Sequence, residues 1–168
     1  MADDLEVSWA EYHRKVEQLA RIVRDSRIAP EQIICIAKGG LRVGDILARI
    51  FKLPLAILAA EAYTDRNDPR APNRVVIAES LTSTRQPLGS RILLVDDLVD
   101  RGGTMQEAVA WLRRRAVTPP AEVWTAVIWY KRRSIFAPDF WVEVIEGDEP
   151  PWIVQPFERY EHLRPEDL

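Results

Sequence analysis

"RILLVDDLVDRGGTMQEAV" (residues 91–109) decides the fold. Residues 91–95 are an apolar run of strand length, bounded by charge. Met105, Ala108, Val109 and Leu112 then recur at helical spacing along "TMQEAVAWLRRR", and Arg113 to Arg115 sit where cations complement a helix end. Between strand and helix stand Asp96, Asp97 and Asp100, followed by Gly102, Gly103 and Thr104. A buried strand, a glycine turn and a helix in that order form half of a βαβ unit. Glycine turns that open helices bind anions, so three acids beside one require a ligand with two kinds of surface.

The same grammar recurs upstream. "QIICIA" (32–37) reads as a buried strand, Gly39 and Gly40 as a turn, and "LRVGDILARIF" as a helix through Leu41, Ile46, Leu47 and Ile50. "LPLAIL" (53–58) is the next strand. Trp9, Tyr12, Val16, Leu19, Ala20 and Val23 predict an amphipathic helix over 8–25. "AEVWTAVIWY" and "FWVEVIE" are two further strands. Residues 64–90 are polar, with Pro and Gly, and flank the short apolar "VVIA"; they read as a long mobile excursion with room for a hairpin. The final "PPWIVQPFERYEHLRPEDL" carries no clear period. Alternating strands and helices predict an α/β fold with a mainly parallel twisted sheet flanked by helices, in one domain spanning 1–168. Ligands in such folds bind beyond the carboxyl ends of the strands, where both glycine turns fall.

Composition narrows the function classes. A net charge of −3 disfavours generic nucleic-acid binding. Cys35, the only cysteine, excludes a disulfide framework and reads as a buried small hydrophobe. His13 and His162 have no ligand cluster around them and read as surface residues. The acidic, polar start does not resemble a signal peptide. No apolar run approaches the roughly 18 residues of a membrane helix, so the chain is expected to be cytoplasmic and to have no membrane partner.

The chemistry of residues 96–104 follows from charge. Backbone N–H groups at Arg101 to Thr104, with the Thr104 hydroxyl, suit a phosphate. Carboxylates repel phosphate but accept hydrogen bonds from sugar hydroxyls, and they help hold Mg²⁺. A ribose phosphate satisfies both halves. "GGLRVG" lacks the Gly-Lys-Ser/Thr of a P-loop and the spacing of a dinucleotide fingerprint. "DDLVD" as a prenyl-diphosphate motif would sit on a helix, and here a strand precedes it.

"ILLVDDLVDRGGT" resembles the phosphoribosyl-pyrophosphate (PRPP) signature of type I phosphoribosyltransferases. "VSWAEYHRKVEQLARIV", "IAKGGLRVGDILAR", "IWYKRRS" and "PWIVQPFE" occur in the order found in bacterial xanthine–guanine and hypoxanthine–guanine phosphoribosyltransferases. The resemblance covers most of the chain outside 64–90 and the tail after Tyr160. It implies transfer of the 5-phosphoribosyl group from PRPP to a 6-oxopurine in purine salvage, Mg²⁺ as cofactor, PRPP and a purine base as partners, and a homo-oligomer. It implies that Lys38, Gly39 and Gly40 form the pyrophosphate loop, which in the family often holds a non-proline cis peptide. Arg101, Gly102, Gly103 and Thr104 would hold the PRPP phosphate, and Arg74 would be a lid arginine. Asp96 and Asp97 would take the ribose hydroxyls, with Asp97 also at the metal, and Asp100 would be the catalytic acid near N7 of the purine. Lys131 would donate to the 6-oxo group, Trp152 would stack on the base, and Ile153 would present its backbone at the base edge. Residues 64–90 would be the lid and 146–160 a small C-terminal hood over the base.

The pattern is not matched everywhere. Arg101 replaces a small hydroxyl residue, Lys38 stands where Arg is common, Val154 stands where the xanthine–guanine enzyme has an acid, and Glu158 replaces an Asp. Two alternatives share the fold: a regulator that senses PRPP or nucleotides, and a transferase for another base.

Overall fold

The computed structural model describes residues 4–63, 74–85, 87–115, 118–147 and 149–168. In chain order the elements are β1 (Leu5–Glu6), α1 (Trp9–Asp25), β2 (Gln32–Ala37), α2 (Gly40–Phe51), β3 (Leu55–Tyr63), β4 (Arg74–Ile77), β5 (Thr82–Ser83), β6 (Arg91–Val95), β7 (Leu98–Val99), α3 (Gly103–Arg115), β8 (Glu122–Lys131), β9 (Phe140–Ile145) and β10 (Ile153–Val154). Short 3-10 turns at Glu158–Glu161 and Pro165–Asp167 follow.

The central sheet runs β4-β3-β2-β6-β8, with β7 and β9 also on β8 and β5 on β3. Pairings of β2 with β3 and β6, and of β8 with β6, β7 and β9, are parallel. The β3–β4 and β3–β5 pairs are antiparallel. Side chains alternate across each strand, so the sheet has two cores. Cys35, Leu93, Val95 and Ile128 pack with Tyr12, Val16, Val43 and Leu47 of α1 and α2. Ile34, Ile36, Leu94 and Val127 pack with Met105, Ala108 and Leu112 of α3 on the other face. Each such fully buried Leu, Ile or Val side chain contributes about 1.5–3 kcal/mol of transfer free energy. Helix α1 starts where Ser8 Oγ accepts from Glu11 N at 3.2 Å, satisfying one of the helix's unpaired donors.

Two expectations need correction. β3 runs on to Tyr63, well past residue 58, and Arg74–Ile77 returns along it in a ladder from Ala60↔Ile77 to Tyr63↔Arg74. Within 64–90, Arg74–Ile77 and Thr82–Ser83 are strand at the sheet edge, so the hairpin for which that stretch has room is present, while 64–73 and residue 86 lie outside the described residues. Glu61 breaks the apolar pattern because β3 leaves the core there, and that hid the extension. The hood is also not built from the C-terminal segment alone. β10 pairs in parallel with β1, Leu5↔Ile153 and Glu6↔Val154. Two-residue strands have no period to read.

Candidate active site

β6 and β7 are one strand line with a two-residue gap. Val95↔Ala126 and Leu98↔Trp129 keep the same register on β8. The gap is Asp96–Asp97. β2 parts from β6 just there, its last partner on β6 being Val95, while it stays paired with β3 through Ala37. The acids therefore face a crevice between α2 on one face and α3 on the other, the place an α/β sheet offers a ligand. Asp96 N donates to the Ala126 carbonyl at 3.2 Å, and the Asp97 carbonyl accepts from Ile128 N and Trp129 N at 3.0 and 3.1 Å. Backbone bonds thus fix both acids.

The turn after β2 lies against them. The Ala37–Lys38 peptide is cis, as the resemblance implies. A Cβ on Gly39 would fall 2.6 Å from the Asp97 carboxyl carbon, and one on Gly40 would fall 2.7 Å from the Val95 carbonyl oxygen. Only glycine lets the turn come this close. Lys38 is exposed.

The second turn, 100–103, caps α3. Gly102 has φ +87°, a left-handed conformation, and a Cβ there would fall 2.8 Å from Phe136 N. Residues 134–136 buttress the turn: Ile135 N donates to the Arg101 carbonyl at 3.1 Å, and Phe136 N donates to Ser134 Oγ at 3.1 Å. The first N–H groups of α3, from Gly103 and Thr104, have no partner within their own helix, and such helix-start donors suit an anion.

Lys131 ends β8 and is only 2% exposed. Its Nζ lies 3.4 Å from Asp100 Oδ1 and 5.8 Å from the Trp152 ring centroid. Arg133 Nη2 takes the same Asp100 oxygen at 2.9 Å. Trp152 is 59% exposed, a flat apolar surface beside a buried cation, and its Nε1 donates to Glu158 Oε2 at 3.0 Å. Gln155 Nε2 donates to Asp97 Oδ2 at 2.5 Å.

A cavity of about 770 Å³ joins these groups. Asp96, Asp97, Asp100, Arg101, Gly102, Gly103, Thr104, Lys131, Trp152 and Ile153 line it, with Leu98, Gln155 and Glu158. Lys38, Gly39 and Gly40 do not line it, although the two glycines abut its acids. Arg74 does not line it either; it is exposed at the start of β4, and the neighbouring Val75 reaches the wall.

Electrostatics match the crowding of acids. Burial first, then the adjacent Asp97 charge, push the Asp96 carboxyl well above the ordinary carboxylate range. Burial also raises Asp97, while the Gln155 amide pulls it back. Two neighbouring carboxylates in a crevice are unfavourable until something positive or hydrogen-bond-donating joins them. Among the described residues no group of three or more His, Cys, Asp or Glu could hold a metal ion. This donor set suits Mg²⁺, which takes one or two carboxylates and fills its shell from water and substrate phosphates.

Gln155 and Arg133 join the site without having been expected there. Gln155 lies inside the quoted "PWIVQPFE", and Arg133 adjoins Lys131, but neither residue type announces a partner 58 or 33 positions away. Among the described residues, no helix is long and apolar enough to cross a membrane.

Comparison with known proteins gives the family. The family model described as "Phosphoribosyl transferase domain" matches residues 8–162. Xanthine-guanine phosphoribosyltransferase of Idiomarina loihiensis is 33% identical over 103 residues, 60% of this chain and 59% of that protein. The chain spans about half to three-fifths of the length of the curated relatives it matches. The solved purine phosphoribosyltransferase of Pyrococcus horikoshii superposes with a TM-score of 0.72 at 23% identity, covering 93% of this chain and 94% of that one. A solved Neisseria gonorrhoeae protein with bound ppGpp superposes with a TM-score of 0.73 at 19% identity, covering 94% and 90%. The family model takes in both glycine turns, the broken strand with its paired acids and the segment carrying Trp152, and the chain belongs to the phosphoribosyl transferase domain family.

Proposed function

We propose that the chain transfers the 5-phosphoribosyl group from PRPP to a 6-oxopurine, giving a nucleoside 5′-monophosphate and pyrophosphate. The observation that carries this reading is one cavity lined together by a phosphate turn, paired acids, a buried lysine and an exposed indole. The PRPP phosphate takes the 101–104 turn, and Asp96 and Asp97 accept from the ribose hydroxyls. Lys131 donates to the 6-oxo group and Trp152 covers the ring. Adenine's 6-amino group would meet a donor with a donor. Asp100, steadied by Lys131 and Arg133, faces N7 and holds its proton while the glycosidic bond forms. The transition state carries positive charge on the ribose, which the acids stabilise. When bound, Mg²⁺ neutralises the leaving pyrophosphate; Asp97, with Asp96 beside it, would hold it. Lys38 and Arg74 stand as further cations for the pyrophosphate, and residues 64–90 as the segment that excludes water.

The test is pyrophosphate release from PRPP and Mg²⁺ with guanine, xanthine, hypoxanthine, adenine and uracil, alongside Asp100→Ala. Turnover of a 6-oxopurine that the variant loses is expected. Turnover of uracil alone would overturn the base site. A regulatory reading draws on the ppGpp held by the Neisseria gonorrhoeae protein. Nucleotide binding with no turnover of any base would select it.

A further inference from the structure

A chain of hydrogen bonds joins Trp152 to the paired acids along the cavity lining. Trp152 Nε1 donates to Glu158 Oε2 at 3.0 Å. The other oxygen, Oε1, accepts from Gln155 N at 3.1 Å. The Gln155 side chain then donates to Asp97 Oδ2 at 2.5 Å, and Asp97 N donates to Asp96 Oδ1 at 2.9 Å. A single tail segment thus grips both the aromatic beside the base and the acid beside the ribose.

We infer that Glu158 and Gln155 are positioning residues that couple occupancy of the base site to occupancy of the PRPP site. This rests on the function proposed above.

Freedom and cost decide the coupling. Trp152 is largely exposed, so its indole would turn about its side-chain torsions without a tie, and Glu158 is that tie. Glu158 uses both oxygens, so it cannot shift to follow the indole without loosening the Gln155 backbone. Gln155 is 5% exposed and Asp97 9% exposed. A charge-assisted bond between groups that dry is strong, and breaking it leaves a buried carboxylate short of a donor. The amide cannot serve Asp97 in the reverse orientation, because a carbonyl oxygen facing a carboxylate has no proton to share. A base that settles on Trp152 therefore fixes Asp97 for the ribose, and a ribose on Asp97 fixes Trp152 for the base. Linkage makes the effect equal in both directions.

Calorimetry reads this without turnover. The dissociation constant of Mg²⁺–PRPP is measured alone and with a saturating 6-oxopurine analogue that has carbon in place of the reacting nitrogen. The wild-type chain should bind PRPP about 5-fold or more tightly when the analogue is present. Glu158→Gln keeps the shape but can offer only one acceptor oxygen. Gln155→Leu removes the amide. In both, each ligand should still bind alone while the mutual tightening falls to within about 2-fold of none. In kinetics, Glu158→Gln should raise both substrate KM values more than it lowers kcat. Glu158 is half-buried at the surface, so its variant decides the matter if Gln155→Leu does not fold. Wild-type coupling retained in Glu158→Gln overturns the inference, and so does a wild-type chain with no coupling. A wild-type chain that binds or turns over no purine overturns the proposed function itself, a different result from an active enzyme with indifferent variants.

Discussion

Lys131→Met removes one ammonium and keeps the bulk of its stem. In the folded chain Lys131 is 2% exposed, with its ammonium 3.4 Å from Asp100 Oδ1. At an effective dielectric of about 20, charges at that distance attract by about 5 kcal/mol. Asp100 is a third exposed, and solvent screening with the lysine's own desolvation removes most of that gross figure. On the function proposed above, what catalysis would lose is the donor to the base. A hydrogen bond from a charged donor is worth about 1.5–3 kcal/mol, which is roughly a 10- to 150-fold fall in kcat/KM for guanine or hypoxanthine. Arg133 remains on Asp100, so the acid keeps one partner and the chain keeps its fold. The assay is pyrophosphate release at varied purine and saturating PRPP, with thermal unfolding as control. The PRPP dissociation constant should change little, because the phosphate turn and the paired acids are untouched. A fall of less than about 2-fold in kcat/KM, in a variant that melts like the wild type, would refute the role given to Lys131.

Three further outcomes are expected. Asp96→Asn should abolish activity yet raise the melting temperature by a few degrees at pH 8. The Asp96 carboxyl is raised in the folded state, so its contribution is fully present below its unfolded value and is lost as pH rises through the folded one; the gain should shrink toward pH 4. Gly102→Ala meets both a positive φ and a collision with Phe136, so PRPP KM should rise at least about 10-fold and the melting temperature should fall. Tyr12→Phe removes a buried hydroxyl that has no hydrogen-bond partner among the described residues, so urea denaturation should show stability unchanged or higher.

The parallel core was legible because each of its strands is a short apolar run next to a turn with a physical purpose. Residues 32–37 and 91–95 were read with their observed bounds. The site acids were legible because a carboxylate at the end of a buried strand is costly unless a cation or a hydrogen-bond donor meets it. What escaped depended on distant partners. β1 and β10 exist only because they pair with each other, and the length of β3 depends on β4. The placement of Arg74 outside the cavity wall likewise comes from its ladder with Tyr63, which composition does not encode. Gln155 looked like a polar residue in a tail. Its meaning comes from the acid that the fold brings to its amide.

The pairing of β1 with β10 also has a consequence for how the chain assembles. The paired acids, the 101–104 turn and α3, which would receive the PRPP ribose and phosphate, are neighbours along the sequence. The segment that would lie beside the base is latched by a strand almost the whole chain away, and contacts of such separation form late and open early. Mild denaturant should therefore blind the protein to its acceptor while it still grips its donor. Hydrogen exchange should show the same order, with the amides of Leu5 and Val7 giving up their protons well before those of Cys35 and Leu93.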